Sequence, residues 1–464
     1  MATTHDIDNQ YTQAVADFVS ALRYEDIPAE VLHRIKLLML DSFGCALYGV
    51  KLEWVKILKE TLREVDSTET FGTWGSTDRF SAPHAALVNG TQVQGFELDD
   101  VHRHGVLHVG AVTLPAVLAA AQMNPLQGKE LLAATVAGYE IGPRVGIAMG
   151  QEHIGQGWHS GATLGVFSAA AGAARAFGLD RNKTVHALGI AGTQSAGLMA
   201  AQYGAMVKRM HAGRSAQSGL YGAMLARSGF TGILDVFEAP YGGFCSTFSR
   251  STDRFDLEAL RAGFGETWET MRISLKFYSC VGSNHTTLDA IRTIKARRDF
   301  TPETLREIVV HGSQVTVDHV GWPYSPQGLT SAQLNLPFCV ATLLLEGDVF
   351  VAQFKPECVN DEERIALSRK VRVEHDPEIT ALGSKFRHKV RVDVHYDDGH
   401  VESETVEAPR GSEYSFASDA DVCAKFMKLA TETIPADRAQ QIVDVLMEME
   451  KHDGQELIRL LSMR

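Results

Sequence analysis

The chain has 464 residues, of which 45% are hydrophobic and 22% are charged, and its formal net charge at pH 7 is −13. This composition is typical of a globular protein, and the length predicts two or three domains. The negative charge disfavours nucleic acids and anionic membrane surfaces as partners, because both require a basic face that neutralises phosphates. A small anionic ligand would therefore need a local basic pocket.

The first residues, MATTHDIDNQ, contain no basic stretch followed by an apolar one, so we expect no secretory signal. The uncharged segment 160–174 is shorter than the roughly 20 apolar residues of a bilayer span and predicts a buried helix. Six scattered cysteines without a C-x-x-C pair favour a cytoplasmic location and argue against an iron–sulfur cluster. The glycine spacing indicates no nucleotide site.

In the first half of the chain, apolar residues recur at helical spacing and the breaks fall at Gly, Pro, Asn or Asp. Pro28 predicts a helix start, and Leu32, Ile35, Met39 and Phe43 follow on one face. Further helices are predicted over 82–88, 112–123, 129–149, 161–177, 182–199 and 211–227. Together they predict a large all-helical domain over 1–265.

After about residue 265 the pattern changes to an alternation of apolar and polar residues. Strands are predicted within 308–317, 371–375 and 390–401, with a hairpin turn at Asp397-Asp398-Gly399. Helical spacing returns from Asp419 onward. The prediction is mainly α: a helical domain over 1–265, which 410–464 rejoins, and a smaller α+β domain over 266–409.

The first cluster of polar residues spans Glu97 to His108. It contains three carboxylates and three imidazoles within twelve positions, which offer proton donors and acceptors that can be tuned near neutral pH. One alternative is a solvated loop. Another is a metal site built from His102, His104 and His108, because histidine is a common ligand of zinc and iron.

Two more clusters lie at the starts of predicted helices. His159 precedes a small-residue helix, where backbone N–H groups favour an anion and keep an imidazole neutral, although a simple helix cap is the alternative. Lys208 and His211 share a helix face, with Arg214 one step round, so that a carboxylate could be held by more than one of them. The alternative for this run of charges is a solvated face.

A fourth cluster follows the change in pattern and runs from Lys276 to His285. It combines a cation, aromatic residues and an imidazole at a predicted domain boundary, where ligand sites are common. Cys280 could be proposed as a nucleophile, but a lone cysteine is more often a small buried hydrophobic residue.

Taken together, these clusters in this order resemble the MmgE/PrpD family. The resemblance covers most of the chain and is carried by LDSFGCALYG, FELDDVHRHGVLHVGAVTLPA, GWHSGATLGVFSAAAGAARAFGLD, MVKRMHAGRSAQSGLYGAMLARSGFTG and SLKFYSCVGSNHTTLDA. It implies a helical domain with an α+β lid, an active site in the cleft between them and a homodimer. It also implies dehydration of 2-methylcitrate, decarboxylation of cis-aconitate or epimerisation of iminodisuccinate, without an iron–sulfur cluster.

Carried over residue by residue, the resemblance implies two sets of site residues and no cofactor or metal. The catalytic set is Asp99, Asp100, His102, His108, His159 and His285, and the substrate-binding set is Glu97, Lys208, His211, Arg214 and Lys276. The sequence departs from the family pattern at Val109-Gly110, where Pro-Ser is usual, and at Glu97, where Asp is frequent.

The sequence thus predicts a lyase that acts on a small di- or tricarboxylate, by dehydration or decarboxylation next to a carboxylate. Fixed cations would stabilise the negative charge that develops, and a paired acid and base would move a proton. The first alternative is an epimerase of a dicarboxylate such as iminodisuccinate. The second is a metal-dependent hydrolase or a non-catalytic helical scaffold, which leaves Lys208 and Lys276 without a role.

Overall fold

The computed structural model describes residues 10–463 except 151, 204, 252, 384 and 385. The chain forms two compact units. The first holds the described residues up to Gly95, those of 99–274 and those from Ser418 onward, and the second holds 96–98 and 275–417. The domain boundaries expected from the sequence, at 265/266 and 409/410, stay a prediction.

The first unit is helical apart from two short strand pairs. Its helices are α1 (Tyr11–Ala21), α2 (Ala29–Gly49), α3 (Glu53–Arg63), α4 (Ala82–Val93), α5 (Val109–Met123), α6 (Gly128–Met149), α7 (Glu152–Gly155), α8 (Ser160–Thr163), α9 (Gly165–Ala176), α10 (Arg181–Gly192), α11 (Val207–Arg227) and α12 (Phe244–Ser249). Its strands are β1 (Phe71–Gly72), β2 (Arg79–Phe80), β3 (Val101–His102) and β4 (Ile273–Ser274), which pair as β1–β2 and β3–β4. Among the described residues, no helix combines the length and the hydropathy that crossing a bilayer requires.

Small residues let the central helices of this unit approach one another closely. A Cβ atom added to Gly172 of α9 would lie 2.6 Å from Val117 of α5, and one added to Gly219 of α11 would lie 2.4 Å from Ala169 of α9. Real Cβ contacts are longer, so these positions require glycine if the helices keep their separation. The helix predicted to begin after Pro28 is confirmed as α2, and its face of Leu32, Ile35, Met39 and Phe43 is buried.

Two predicted helices differ from the observed ones. The segment 161–177 is divided between α8 and α9. The prediction of helix over 182–199 is wrong beyond Gly192, where α10 ends. The backbone there instead bonds to the segment before α8, since His159 N–H donates to Gly197 O at 3.1 Å and Met199 N–H donates to Gly157 O at 2.9 Å. These contacts replace the helical hydrogen bonds that the apolar spacing suggested.

The second unit combines helices with a four-stranded sheet in the order β6-β5-β7-β8. Its elements are α13 (Gly282–Arg297), β5 (Leu305–Gly312), α14 (Gln314–Val320), α15 (Leu329–Leu334), α16 (Leu336–Glu346), α17 (Pro356–Val359), α18 (Glu362–Ser368), β6 (Val371–His375), α19 (Pro377–Ala381), β7 (Val390–Tyr396) and β8 (Val401–Val406). β5 pairs parallel with β6 and antiparallel with β7, and β7 pairs antiparallel with β8. The predicted hairpin is confirmed, and Gly399 takes a φ of +85° in its turn.

The strand predicted over 308–317 is wrong in its second half. β5 ends at Gly312, and the Ser313 side chain accepts a hydrogen bond from Thr316 N–H to cap α14. Val315 and Val317 had fitted the strand alternation, but the strand ends before them and they lie in α14.

The C-terminal residues return to the first unit as three helices, α20 (Asp419–Ala430), α21 (Ala436–Met447) and α22 (Gly454–Leu461). Here α20 packs along α2. The predicted fold class, mainly α with a smaller α+β part, is confirmed.

Candidate active site

From Asp99 to His108, the predicted acidic and histidine-rich segment forms a loop of the first unit that leads into α5. It contains β3, which pairs with β4, and it returns through Val106. Val106 has a φ of +48°, which is unusual for a β-branched residue. The Ser160 hydroxyl donates a hydrogen bond to the Val106 carbonyl oxygen. This bond ties the loop to the start of α8, next to His159.

Asp100 belongs to this loop, and its side chain is fully buried next to the N-terminus of α5. The Gly110 N–H donates to its carboxylate at 2.9 and 3.2 Å, and the Tyr139 hydroxyl donates to it at 3.2 Å. Burial raises the pKa of Asp100 to about 7 and the Asp99 charge adds to that rise, whereas the Gly110 N–H opposes it. Asp100 is therefore a carboxyl group that can gain or lose a proton near neutral pH.

His108 occupies the N-cap position of α5 without a side-chain capping bond, and its ring lies next to Asp99. Its Nδ1 lies 3.0 Å from the Asp100 carbonyl oxygen and 3.1 Å from Asp99 Oδ2. The Asp100 carbonyl oxygen can only accept a hydrogen bond, so Nδ1 carries the proton, and a neutral ring then has its lone pair on Nε2. Within the described residues no hydrogen bond is formed to that Nε2, and the side chain is 18% exposed. This arrangement suits a proton-transfer group.

The glycine at position 110, where the MmgE/PrpD pattern usually has serine, has a local structural reason. A Cβ atom added to Gly110 would lie 2.1 Å from Ser42 Oγ and 2.8 Å from the Tyr139 hydroxyl. A serine at position 110 could not fit without displacing Ser42. The Ser42 hydroxyl therefore occupies the space that a side chain at 110 would need beside Asp100.

A buried ion pair that the sequence analysis missed lies in the same region. Lys425 Nζ of α20 is 2.5 Å from Asp41 Oδ1 of α2, and their side chains are 2% and 0% exposed. The two residues are 384 positions apart, so no local motif joins them. One signal was available: Lys425 lies at helical spacing with Val422, Phe426 and Leu429, all of which are buried.

His102 is engaged at both ring nitrogens. Its Nε2 lies 2.9 Å from Glu269 Oε2, and its Nδ1 accepts a hydrogen bond from Gly105 N–H at 2.9 Å. Burial lowers the pKa of His102 although Glu269 opposes this, which favours a neutral ring that donates from Nε2. These bonds close the loop and anchor it to the segment before β4. They favour a positioning role, and its predicted catalytic role stays a prediction.

His159 and His211 lie together at the starts of α8 and α11. Their ring centroids are 4.7 Å apart, and both side chains are buried. Burial and the nearby Lys208 ammonium lower the pKa of His211, which favours its neutral form. His211 Nδ1 is buried without a hydrogen-bond partner among the described residues. The structure thus brings two of the predicted site histidines into one pair.

The three cations near the start of α11 differ in their surroundings. Lys208 is half-buried, and Arg209 is buried with its guanidinium 5.8 Å from the Trp54 ring centroid. Arg214 is exposed and donates to Gln217 on its own helix. Lys208, next to the histidine pair, is therefore better placed for ligand binding than Arg214.

The remaining predicted residues belong to the second unit. Lys276 is buried, with Nζ 3.3 Å from the Glu97 carbonyl oxygen and 3.5 Å from Glu97 Oε2. Glu97 has a φ of +57°, so its backbone holds an uncommon conformation at this ion pair. His285, on α13, donates from Nε2 to the Cys280 carbonyl oxygen at 3.1 Å, and the Tyr278 ring packs edge-on against it.

The two alternative chemistries gain no support from these surroundings. Burial and the neighbouring Cys339 raise the pKa of Cys280 well above its usual value, which disfavours the reactive thiolate. Within the described ranges, no group of three or more His, Cys, Asp or Glu side chains is arranged to hold a metal ion.

A buried carboxyl group with a raised pKa lies near an imidazole on this mainly helical scaffold, an arrangement that is typical of enzymes with acid–base catalysis. Residues 13–256 match the MmgE/PrpD N-terminal domain, and residues 278–449 match the MmgE/PrpD C-terminal domain. The chain belongs to the MmgE/PrpD family.

Three curated relatives are similar over almost their whole length. The cis-aconitate decarboxylase-like protein oryM of Aspergillus oryzae is 33% identical, covering 98% of each chain. A cis-aconitate decarboxylase of Aspergillus terreus is 32% identical, over 97% of this chain and 96% of its own. The cis-aconitate decarboxylase of Homo sapiens is 25% identical, over 95% and 92%.

Proposed function

We propose that this protein is a lyase that decarboxylates cis-aconitate or a closely related tricarboxylate. The observation that carries the proposal is the cluster of the half-buried His108 with the buried Asp99 and Asp100, in a chain whose relatives over almost the full length are named cis-aconitate decarboxylase or cis-aconitate decarboxylase-like. Among the activities that the resemblance implies, decarboxylation is the one in the relatives' names.

The reaction requires charge stabilisation and one proton. Breaking the bond to a carboxylate releases carbon dioxide and leaves an electron pair on carbon, which the adjacent double bond and carboxylates can delocalise. A proton must then be added to carbon, so a general acid is needed. Cations near the remaining carboxylates stabilise the charge that develops before that proton arrives.

The first unit supplies groups for both tasks. His108, whose Nδ1 bonds to the Asp100 carbonyl oxygen, and the Asp100 carboxyl group, whose pKa burial raises to about 7, are our candidates for moving the proton. His159 and His211 form a second imidazole pair, and Lys208 lies beside it as a carboxylate-binding cation. The carboxylate-binding role of Lys276 and the role of His285, both in the second unit, are proposals carried by the family resemblance.

The test is turnover of cis-aconitate in heavy water, followed by 1H and 13C NMR. We expect loss of one carboxylate signal, release of carbon dioxide and deuterium on carbon in the product. His108→Gln should lower kcat by about 100-fold or more, because general acid–base catalysis contributes roughly 10²–10⁴-fold. His400→Gln, at an exposed residue of the β7–β8 hairpin, is the control and should match the parent protein.

Citrate, 2-methylcitrate and iminodisuccinate should be run beside cis-aconitate. Formation of an alkene from 2-methylcitrate alone would identify a dehydratase, and stereochemical scrambling of iminodisuccinate alone would identify an epimerase. A folded protein that is inert towards every compound contradicts the proposal.

We further propose that the protein acts as a cytoplasmic homodimer without a cofactor. A homodimer is in keeping with several large apolar side chains exposed on the first unit, including Leu225 on α11, Phe230 and Tyr241. Light scattering coupled to size exclusion tests the oligomeric state, and a monomer at micromolar concentration contradicts it.

A further inference from the structure

Gln94 lies just after α4 and is buried, with only 1% of its surface exposed. Its side-chain oxygen Oε1 accepts a hydrogen bond from Ala212 N–H of α11 at 3.3 Å. Because a backbone N–H can only donate, this bond fixes the oxygen end of the amide towards α11. The amide nitrogen of Gln94 is therefore the end that remains for other contacts.

This nitrogen lies beside the backbone of Gly161. A Cβ atom added to Gly161 would lie 3.7 Å from Gln94 Nε2 and 3.3 Å from His159 Nδ1. The centroid of the His159 ring is in turn 4.7 Å from that of the His211 ring. Gln94 Nε2 thus lies next to the imidazole pair, with no side chain of residue 161 between them.

Two polar nitrogens in this place are left without a hydrogen bond. Gln94 Nε2 and His211 Nδ1 are both buried, and neither has a hydrogen-bond partner within the described part of the chain. Burying an amide N–H without an acceptor costs more free energy than a typical hydrogen bond contributes, and native proteins keep few such groups. Two of them beside one imidazole pair indicate that a ligand supplies the missing partners.

Gln92, two residues earlier on α4, provides the contrast. Its Nε2 donates to the Ala46 carbonyl oxygen at 3.1 Å and to the Trp74 carbonyl oxygen at 2.9 Å. The amide nitrogen of Gln92 therefore stabilises the packing of α4 within the first unit. The amide nitrogen of Gln94 forms no such bond among the described residues, so stabilisation of the fold does not account for it.

We propose that Gln94 is a substrate-binding residue, whose amide nitrogen donates a hydrogen bond to a carboxylate oxygen of the substrate at the pair of His159 and His211. Lys208 precedes His211 by three residues on α11 and supplies positive charge on the same helix face. Gln94 adds a donor of fixed direction that does not titrate. That the carboxylate belongs to a tricarboxylate rests on the proposed function.

The matched comparison is Gln94→Met against Gln92→Met. Methionine keeps the unbranched shape of glutamine but cannot donate a hydrogen bond. Gln94→Met removes one hydrogen bond and one unsatisfied donor, whereas Gln92→Met removes two hydrogen bonds. We therefore expect a lower urea midpoint for Gln92→Met than for Gln94→Met, and the reverse order would show that Gln94 serves the fold and would overturn the proposal.

The first readout is calorimetric binding of tricarballylate, a saturated tricarboxylate without the double bond that decarboxylation requires, so that affinity is measured without turnover. We expect Kd to rise about ten- to a hundredfold in Gln94→Met, as for the loss of a hydrogen bond to a charged group. In Gln92→Met it should stay close to the parental value. A parental Kd in Gln94→Met, or an equal rise in both variants, contradicts the proposal.

The second readout is the kinetics with cis-aconitate. A carboxylate held equally before and during the reaction predicts a raised KM with a nearly unchanged kcat, and this change decides the question if tricarballylate does not bind. A lower kcat with parental KM contradicts a binding role for Gln94. If the parent protein has no turnover but Kd rises in Gln94→Met, only the proposed function fails, whereas a parent protein that neither binds nor reacts contradicts both proposals.

Should Gln94→Met fail to fold, Gly161→Ala tests the same contact. Its Cβ atom would fill the space beside Gln94 Nε2, and alanine favours a helix over glycine, so we expect the fold to be retained. Kd and KM should rise at least about tenfold. Gly155→Ala, where a Cβ atom meets nothing within 4 Å, should match the parent protein, and equal values in the two alanine variants would overturn the proposal.

Discussion

Gly110 should tolerate a methyl group only if Ser42 loses its hydroxyl. In Gly110→Ala the new Cβ would start 2.1 Å from Ser42 Oγ, 2.8 Å from the Tyr139 hydroxyl and 3.2 Å from Asp100 Oδ2. Overpacking of this kind costs about 1–3 kcal/mol, and alanine recovers roughly 0.5–1 kcal/mol of helix preference over glycine. We therefore expect a net loss of up to about 2.5 kcal/mol, with lower kcat because Asp100 is displaced.

Ser42→Ala removes the nearest of these atoms. The double variant should recover at least about 1 kcal/mol relative to the sum of the single changes, as contacting residues do in double-mutant cycles. Urea unfolding midpoints measured on all four proteins provide the cycle. Gly155→Ala is the control, because a Cβ atom there meets nothing within 4 Å. Equal stability of Gly110→Ala and Gly155→Ala, or additive losses in the cycle, would refute the reasoning.

Three further predictions concern binding, metals and acid stability. Lys208→Ala and Lys276→Ala should each lower kcat/KM at least about tenfold, or roughly 1.4 kcal/mol, because a neutral side chain cannot replace a charge-assisted bond to a carboxylate. The exposed variant Lys56→Ala is the control, and parental kinetics at Lys208 and Lys276 would rule out carboxylate binding. Elemental analysis should find no stoichiometric iron or zinc; activity lost to a chelator and restored by one metal would contradict this. Burial raises the pKa of Asp78, but hydrogen bonds from Lys59 and Arg63 outweigh it and lower the pKa to about 2. Its folded-state pKa lies below the unfolded value of about 3.9, so its stabilisation is present above pH 4 and lost as pH falls towards 2. Asp78→Asn should therefore unfold more easily than the parent protein at pH 6, with the difference shrinking towards pH 2; an undiminished difference contradicts the assignment.

Local patterns predicted those parts of the fold that local interactions determine. The start of α2 after Pro28 and the turn at Gly399 follow from backbone preferences of single residues. The wrong helix beyond Gly192 and the wrong strand beyond Gly312 have another origin. Beyond Gly192 the backbone bonds to the segment before α8, and beyond Gly312 the Ser313 side chain caps α14. These hydrogen bonds replace those of the helix and the strand that the apolar spacing had suggested.

The same division applies to the candidate site. Asp99, Asp100 and His108 could be predicted as candidates because they lie close together in one acidic and histidine-rich segment. Asp41 and Lys425 were missed because each looks like an isolated charge on an apolar helix until α2 and α20 pack together. Likewise, no local pattern could show that both ring nitrogens of His102 bond within the fold.

The distance along the chain between Asp41 and Lys425 also bears on the order of events during synthesis. A ribosome releases Asp41 long before residue 425 exists, so the nascent helical unit holds a carboxylate whose counter-charge has not yet been made. Until then that carboxylate must stay hydrated or take up a proton, and α2 cannot bury it as an ion. Docking of α20 onto α2 is therefore the late step that lets Asp41 be buried as part of an ion pair.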